Sequence, residues 1–342
     1  MLGANTILTS TASGNITLAG TVGYSEKLVI TTGGITTFGG AVGNGLPLTS
    51  LTLNSAANLN GGAISTSGDE TYNGAVTLGS DTTINCGTLE LGVVNSPNNA
   101  NLTLNNHGLA TLNGVMTGVS NLTATGTGTL QVNGSVSPAS VTVLSGATLA
   151  GNGTINAPVL VQAGGTLSPG ASLGALTISN ALTLAGTALL QLNKTVPTNS
   201  LVRSLGSVAY NGTLTVTNLA GTLAPGDRFC LFEAASYSGA FALTNLPALG
   251  AGLAWNTASL NSNGSIAVVA SLSPPIISNF GFSGNQFYIY LTGPAGQLVV
   301  VQASTNLPVW LPIWTNTFTT NPLFFRDAPS VASRRFYRAV SP

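Results

Sequence analysis

The charged residues of the first 195 positions are the first candidates for chemistry. Paired carboxylates, or carboxylates that hold calcium beside a basic residue, are the groups that cleave polysaccharides. The acids and bases of this region are Glu26, Lys27, Asp69, Glu70, Asp81, Glu90 and Lys194. Asp69 and Glu70 are adjacent, so in a strand they point to opposite faces, whereas Asp81 could share a surface with them. Because the flanking SGDE and GSDT segments are typical of turns, we expect solvated corners here and not an active site.

The single histidine, His107, gives no second candidate for a catalytic or metal site. A zinc site needs further ligands beside it, and a nucleophilic triad needs a serine and an acid at suitable positions. The sequence also lacks the periodic Asp of calcium-binding repeats and the lysine and helix that follow a phosphate-binding glycine loop. We therefore predict a surface turn for NNHG, no catalytic residues, no metal site and no cofactor.

A basic cluster near the C-terminus is the one candidate interaction surface. It consists of Arg326, Arg334, Arg335, Tyr337 and Arg338. Such a surface would contact an anionic partner, for example a surface sugar, an acidic exopolysaccharide or a neighbouring subunit. Arginines interleaved with aromatics also occur in grooves for single-stranded nucleic acid, but phosphate contacts need a much wider basic footprint, so we expect no nucleic acid.

The same cluster has a structural alternative. In a strand, Arg334, Phe336 and Arg338 share one face, and Arg335 and Tyr337 share the other. The segment could then be an edge strand whose arginines deter aggregation while Phe336 and Tyr337 pack inward.

The composition indicates a chain that buries aliphatic side chains with little use of charge. Of 342 residues, 44% are hydrophobic and only 5% charged, with a net charge of zero. The most apolar segment, ALTISNALTLAGTALLQL (175–192), is interrupted by Thr, Ser, Asn and Gly, so it does not indicate a membrane-spanning helix. Neutrality removes a general attraction to nucleic acid or membrane.

Degenerate repeats predict the fold. Three segments align, with leading apolar residues Leu122, Val141 and Val159: NLTATGTGTLQV (121–132), SVTVLSGATLAG (140–151) and PVLVQAGGTLSP (158–169). A second set steps from Leu130 to Leu149 and Leu167, and one unit earlier we align Leu102 with Leu122 and Leu112 with Leu130. A period of 17–20 residues is too short for helical repeats of about 33 or more. It suits three short strands and three glycine corners, and hence a parallel β-solenoid with inward aliphatics and outward Thr and Asn.

The pattern divides the chain into four parts. Residues 1–195 are predicted as solenoid repeats, and 196–270 as the end of the solenoid, where larger side chains cover the last coil. The proline-rich 271–275 is predicted as a linker, because consecutive prolines cannot continue a ladder. Of the 21 aromatic residues, 12 fall in the last 68 positions, so 276–342 is predicted as a small antiparallel β-sandwich with an aromatic core.

The cysteines and the N-terminus say little about the compartment. Cys86 and Cys230 lie 144 positions apart and are predicted as two thiols, with a disulfide as the alternative. The opening MLGANTILTSTASGN has no basic and apolar signal regions, so no signal peptide is expected in it. It resembles the middle of a repeat, so we expect an exposed first coil unless something stacks on it.

Several segments resemble known surface proteins. TFGGAVGNGLPLTSLTLNS (37–55) and TYNGAVTLGSDTTI (71–84) are similar to repeats of filamentous-haemagglutinin-type adhesins. ATLAGNGTINAPVLVQAGGTLSPG (147–170) and GDRFCLFEAASYSGAF (226–241) resemble autotransporter passengers and the region that closes them. The tail QASTNLPVW…RFYRAVSP resembles a C-terminal module of large secreted proteins of environmental Gram-negative bacteria. The resemblance implies a right-handed β-helix at the cell surface or outside the cell.

Three functions are compatible with these observations. The leading prediction is a non-catalytic extracellular structural protein, a self-associating subunit of a surface fibre, matrix or adhesin, whose copies pack end to end. The alternative is an adhesin module that binds carbohydrate through a solenoid face or the aromatic C-terminal part. The third is a polysaccharide lyase or hydrolase built on a β-helix, which would require a groove with convergent carboxylates.

Overall fold

The computed structural model describes residues 3–170, 172–271, 273–327 and 334–341. Its elements are short strands with one short helix. The first sixteen strands are β1 (Thr6–Ser10), β2 (Ile16–Leu18), β3 (Lys27–Phe38), β4 (Ser50–Leu59), β5 (Ala63–Ser65), β6 (Glu70–Tyr72), β7 (Val76–Leu78), β8 (Thr82–Cys86), β9 (Leu89–Leu91), β10 (Val94–Asn95), β11 (Leu102–Asn106), β12 (Leu109–Leu112), β13 (Val115–Thr117), β14 (Asn121–Gly126), β15 (Thr129–Val132) and β16 (Ser135–Ser137). The next sixteen are β17 (Ser140–Val143), β18 (Thr148–Gly151), β19 (Thr154–Ile155), β20 (Val159–Val161), β21 (Thr166–Pro169), β22 (Ala175–Ile178), β23 (Leu182–Leu184), β24 (Thr187–Asn193), β25 (Thr198–Asn199), β26 (Leu201–Ser204), β27 (Ser207–Tyr210), β28 (Thr213–Asn218), β29 (Arg228–Cys230), β30 (Phe232–Glu233), β31 (Ser236–Gly239) and β32 (Leu243–Asn245). The remainder are β33 (Leu253–Asn256), α1 (Leu260–Asn263), β34 (Ser265–Ala270), β35 (Ile276–Ser283), β36 (Gln286–Thr292), β37 (Leu298–Ser304), β38 (Leu311–Thr317), β39 (Leu323–Arg326) and β40 (Phe336–Val340).

Contacts divide the chain into two units. The solenoid unit comprises Met1–Thr222, Arg228–Pro247 and Asn256–Ala267. The sandwich unit comprises Leu223–Asp227, Ala248–Trp255 and Val268–Pro342.

The solenoid unit is built from three ladders of parallel strands, which form its three faces. The first face runs through β1, β3, β4, β6, β9, β12, β15, β18, β21, β24, β28 and β32. The second face runs through β2, the later parts of β3 and β4, and β7, β10, β13, β16, β19, β22, β26 and β30. The third face is a nine-stranded sheet of β5, β8, β11, β14, β17, β20, β23, β27 and β31. The predicted parallel β-solenoid is therefore confirmed.

The repeat alignment predicts most of the register. Leu122 pairs with Val141 and Val141 with Val159 on the third face. Leu112 is the exception, because it pairs with Val132, while Leu130 pairs with Ala110. The alignment of Leu112 with Leu130 was therefore wrong by two residues. The sequence pattern could not reveal this error, because a shift of two residues keeps the same side chains inward.

Glycines at the corners let successive coils approach closely. At one corner Gly114 and Gly134 lie in consecutive coils, and a Cβ built on Gly134 would come within 1.9 Å of the Gly114 carbonyl oxygen. The main chain therefore occupies the space that any other side chain would need. This explains why NG and GN pairs recur in the repeats.

The last coil is covered by aromatic side chains and by α1. Tyr210 lies 5.2 Å from Phe232 and 4.5 Å from Phe241, measured between ring centroids. Its hydroxyl donates a hydrogen bond to the carbonyl oxygen of Leu260 in α1, at 3.3 Å. These groups bury the end of the aliphatic core, which would otherwise face water.

The sandwich unit holds two three-stranded antiparallel sheets, ordered β35-β36-β39 and β38-β37-β40. Their shared core comprises Ile289, Leu291, Val299, Val301, Phe318, Leu323 and Phe325. Aromatic contacts join the sheets, with Phe287 stacked on Tyr337 at 4.3 Å and Trp314 at 5.4 Å from Phe325. The predicted small antiparallel sandwich is confirmed. In the described parts of the chain, no helix has the length and apolar character needed to cross a membrane.

Candidate functional sites

The adjacent acids Asp69 and Glu70 point to opposite sides of the solenoid wall, as predicted. Asp69 is exposed at a corner and accepts a hydrogen bond from Thr88 Oγ1 at 2.7 Å. Glu70 is 1% exposed, so the predicted solvated corner is wrong for this residue. The reason is the phase of β6, which begins at Glu70 and turns residues 70 and 72 toward the core.

Glu70 is held inside the core by two hydroxyl groups. Thr66 Oγ1 donates to Oε1 at 3.1 Å, and the Tyr72 hydroxyl donates to Oε2 at 2.9 Å. Burial raises the pKa of the Glu70 carboxyl to about 8, although both hydrogen bonds act to lower it. The carboxyl is therefore largely protonated at neutral pH, in a position that a polymeric substrate cannot reach.

Asp81 belongs to a ladder of polar side chains along the edge of the third face. It accepts two hydrogen bonds from Asn101, from the backbone N–H at 2.8 Å and from Nδ2 at 2.9 Å. Asn121 donates to Asn101 Oδ1 at 2.7 Å, and Ser140 donates to Asn121 Oδ1 at 2.6 Å. The hydrogen bonds from Asn101 lower the pKa of Asp81. This carboxylate therefore stays charged and acts as the hydrogen-bond acceptor at one end of the ladder.

The carboxylates are not brought together. Asp69 precedes β6 on the first face and Asp81 precedes β8 on the third face, so they occupy different corners. Glu26 is half-buried and Glu90 is exposed. Lys27 is exposed and Lys194 is half-buried. Among the described residues, no group of three or more His, Cys, Asp and Glu side chains is arranged to hold a metal ion.

His107 lies beside the backbone of Cys86 in the neighbouring coil, whereas Cys230 lies in a later part of the chain. His107 is exposed in a bend, as predicted, with Nδ1 3.4 Å from the carbonyl oxygen of Cys86. Cys86 and Cys230 are both free, the first buried and the second half-buried. Burial, with a further contribution from Glu70, raises the pKa of the Cys86 thiol to about 12. This thiol is therefore a poor nucleophile in the folded chain.

The residues of the basic cluster fall into different environments in the sandwich unit. Arg335 Nη1 lies 3.1 Å from Asp327 Oδ2, which also accepts a hydrogen bond from the Tyr337 hydroxyl at 2.7 Å. Burial and Asp327 raise the pKa of Tyr337 to about 12. Arg335 and Tyr337 therefore support the fold, and Asp327 is turned toward them.

Phe336 and Arg338 of β40 point outward, whereas Ala339 packs against the core. Arg338 Nε donates to Gln302 Oε1 at 2.7 Å, and its Cζ lies 4.4 Å from the centroid of the Trp310 ring. Arg334 is exposed just before the strand. Phe336 is 36% exposed, so of the two aromatics expected to pack inward only Tyr337 does so, because the strand alternates. β40 is an edge strand of its sheet.

Arg326 lies on the outer surface of the other sheet, within a group that the sequence analysis missed. Tyr290 pairs directly with Phe324, and Tyr288 pairs with Arg326. Tyr288, Tyr290, Phe324 and Arg326 are called the aromatic platform below. The alternation in QFYIYLT, with buried Ile289 between the two tyrosines, was the signal that could have predicted it.

Two comparisons of the sequence with known proteins find no relative. No family model matches the chain, and no curated protein is significantly similar to it in sequence. The similarity to adhesin and autotransporter repeats therefore stays a prediction from the motifs alone.

Proposed function

We propose that this chain is a non-catalytic extracellular structural protein, in which the solenoid unit serves as a column in a surface fibre, matrix or adhesin. The observation that carries the proposal is the uninterrupted stacking of coils, with nine strands in register along the third face. Each coil satisfies the backbone of the next by hydrogen bonding, at a rise of about 4.8 Å. Such a column supplies length and stiffness.

The polar surface of the column supports this role. Outward threonines follow one another on the third face, where Thr103 pairs with Thr83 and with Thr123. Beside them, Asn105 Nδ2 donates to Asn85 Oδ1 at 2.8 Å. The side chains therefore bind one another from coil to coil, and a neutral surface of this kind presents little electrostatic repulsion to a second copy.

The two ends of the column differ. The last coil is covered, as described above, whereas the first coil has half-buried Leu8, Ile16 and Leu18. Among the described residues, β1 and β2 pair only with β3, so each has one unpaired edge. Because an edge of this kind favours the addition of another strand, we propose the first coil of this chain as its contact surface for self-association.

Light scattering and electron microscopy of the purified chain test the proposal. We expect the average mass to rise with protein concentration and elongated assemblies to form. Leu18→Lys places a charge on the inward side of the first coil and should abolish the association. Ile7→Lys, on the outward side of the same coil where Ile7 is 72% exposed, is the matched control. A wild-type mass that stays monomeric at every concentration would contradict the proposal.

A further inference from the structure

We propose that the aromatic platform binds an acidic polysaccharide. The proposal does not depend on the role of the solenoid unit, because it rests on residues of the sandwich unit alone. It assigns a ligand class, chains of uronic-acid-type sugars, to a defined group of outward side chains.

The platform consists of rings that lie on the solvent side of the sheet. In β36 and β39, buried Ile289 and Phe325 form a direct pair toward the core. Strand alternation therefore turns their neighbours Tyr288, Tyr290 and Phe324 outward. Phe324 is 45% exposed, and the two tyrosines are partly exposed, although aromatic side chains of this size usually bury most of their surface.

The rings form one continuous group. The centroid of Tyr290 lies 5.0 Å from that of Phe324, and Tyr288 lies 6.0 Å from Phe324 and 5.9 Å from Tyr290. Gly281 of β35 pairs with Tyr288, and a Cβ at this position would come within 2.7 Å of the Tyr288 hydroxyl. The glycine therefore leaves room for the ring beside β35, so the platform reaches across three strands.

This geometry fits a sugar chain. A pyranose ring has an apolar face of C–H groups, which stacks on aromatic rings, and a rim of hydroxyls, which the tyrosine hydroxyls can bind. An extended polysaccharide places successive sugar rings along such a surface. A deep pocket is therefore not required.

Arg326 selects for a negative charge. Its Cζ lies over the Phe324 ring, 5.7 Å from the ring centroid, so the guanidinium is part of the platform surface. The neighbouring acid, Asp327, binds Arg335 and Tyr337. Arg326 can therefore pair with a ligand carboxylate through two parallel hydrogen bonds. A single arginine beside three rings is too small a basic footprint for nucleic acid.

Affinity electrophoresis in gels that contain polygalacturonate, neutral dextran or single-stranded poly(dT) tests the proposal. We expect polygalacturonate to retard the wild-type chain most strongly. Tyr290→Ala and Phe324→Ala should each weaken this binding about tenfold, equivalent to about 1.4 kcal/mol. Arg326→Gln should abolish the preference for the acidic polymer over the neutral one. Trp310→Ala removes an aromatic that contacts an arginine on the other sheet and should leave binding unchanged.

A measurement on the wild-type chain avoids dependence on variants that fold poorly. Acetylation of tyrosines, followed by mass spectrometry, should show that polygalacturonate protects Tyr288 and Tyr290. Protection of Tyr24, exposed in the solenoid unit, should not change. No retardation by polygalacturonate, stronger retardation by poly(dT), equal loss of binding in Trp310→Ala, or no protection of the platform tyrosines would each overturn the proposal.

Discussion

The buried Glu70 carboxyl should make the folded chain less stable as pH rises from acid to neutral. In the native state the pKa of this carboxyl is raised to about 8 by burial, against 4.5 for an unperturbed glutamate. Between these values the native state holds a proton that the unfolded state has released. Because the unfolded state then binds fewer protons, the free energy of unfolding falls as pH increases. The contribution of the protonated Glu70 carboxyl to the free energy of unfolding is fully present below pH 4.5 and is lost by about pH 8.

The size of the effect follows from the same two values. Over each pH unit in which the native state holds one proton more than the unfolded state, the free energy of unfolding falls by about 1.4 kcal/mol. The interval from 4.5 to about 8 therefore corresponds to as much as about 5 kcal/mol of unfolding free energy. A loss of this size is a large fraction of the stability of an ordinary domain, which is about 5–15 kcal/mol.

Thermal unfolding followed by far-UV circular dichroism measures the effect. The melting temperature of the wild-type chain should fall steadily between about pH 5 and pH 8. Glu70→Gln keeps the shape and a hydrogen-bonding partner for Tyr72 but cannot ionise, so its melting temperature should change much less over this range. The variant should also be more stable than the wild type at pH 8, since it no longer has a carboxyl to desolvate.

Glu90→Gln is the matched control. Glu90 lies on the same face, where it pairs with Thr71, but its side chain is exposed. This variant should keep the pH dependence of the wild type. If the wild type and Glu70→Gln lose stability in parallel as pH rises, the inferred burial of Glu70 as a neutral acid is refuted.

Three further predictions follow from the packing. Gly134→Ala should lower the free energy of unfolding of the solenoid by about 3 kcal/mol or more, because its Cβ would meet the Gly114 backbone. Gly92→Ala is the control and should be nearly neutral, because no atom lies within 4 Å of a Cβ at that position. Equal melting temperatures for the two variants would contradict this prediction. Cys86, buried with a raised thiol pKa, should resist alkylation until the chain unfolds, as monitored by mass spectrometry; rapid native-state labelling would count against the described core. Phe282 is 74% exposed on edge strand β35, so Phe282→Glu should reduce aggregation in light scattering, and an unchanged aggregation rate would rule out this edge as the cause.

The solenoid could be predicted from the repeats because its determinants are local and repeated. Inward residues such as Leu122 and Val141 alternate with polar ones, and the corner glycines recur at nearly constant spacing. In a stacked fold each coil meets only its neighbours, so a short repeat carries almost all the information about contacts. The two-residue error at Leu112 shows the limit, since alternation sets which face a residue occupies but not which partner it meets.

The positions of the chemical groups depend on contacts that the repeat pattern does not contain. Glu70 was expected in a solvated corner, but β6 begins at this residue, and the alternation of the strand therefore directs its side chain into the core. The arginines of the C-terminal segment formed one cluster in sequence, yet antiparallel pairing placed Arg326 beside Tyr288 and Phe324, and Arg335 beside Asp327. Pairing between strands distant in sequence depends on packing in three dimensions, whereas the repeat pattern depends only on neighbouring coils. That difference is the physical reason why the architecture could be predicted, whereas the alternation in QFYIYLT could indicate two outward tyrosines but not their pairing with Phe324 and Arg326.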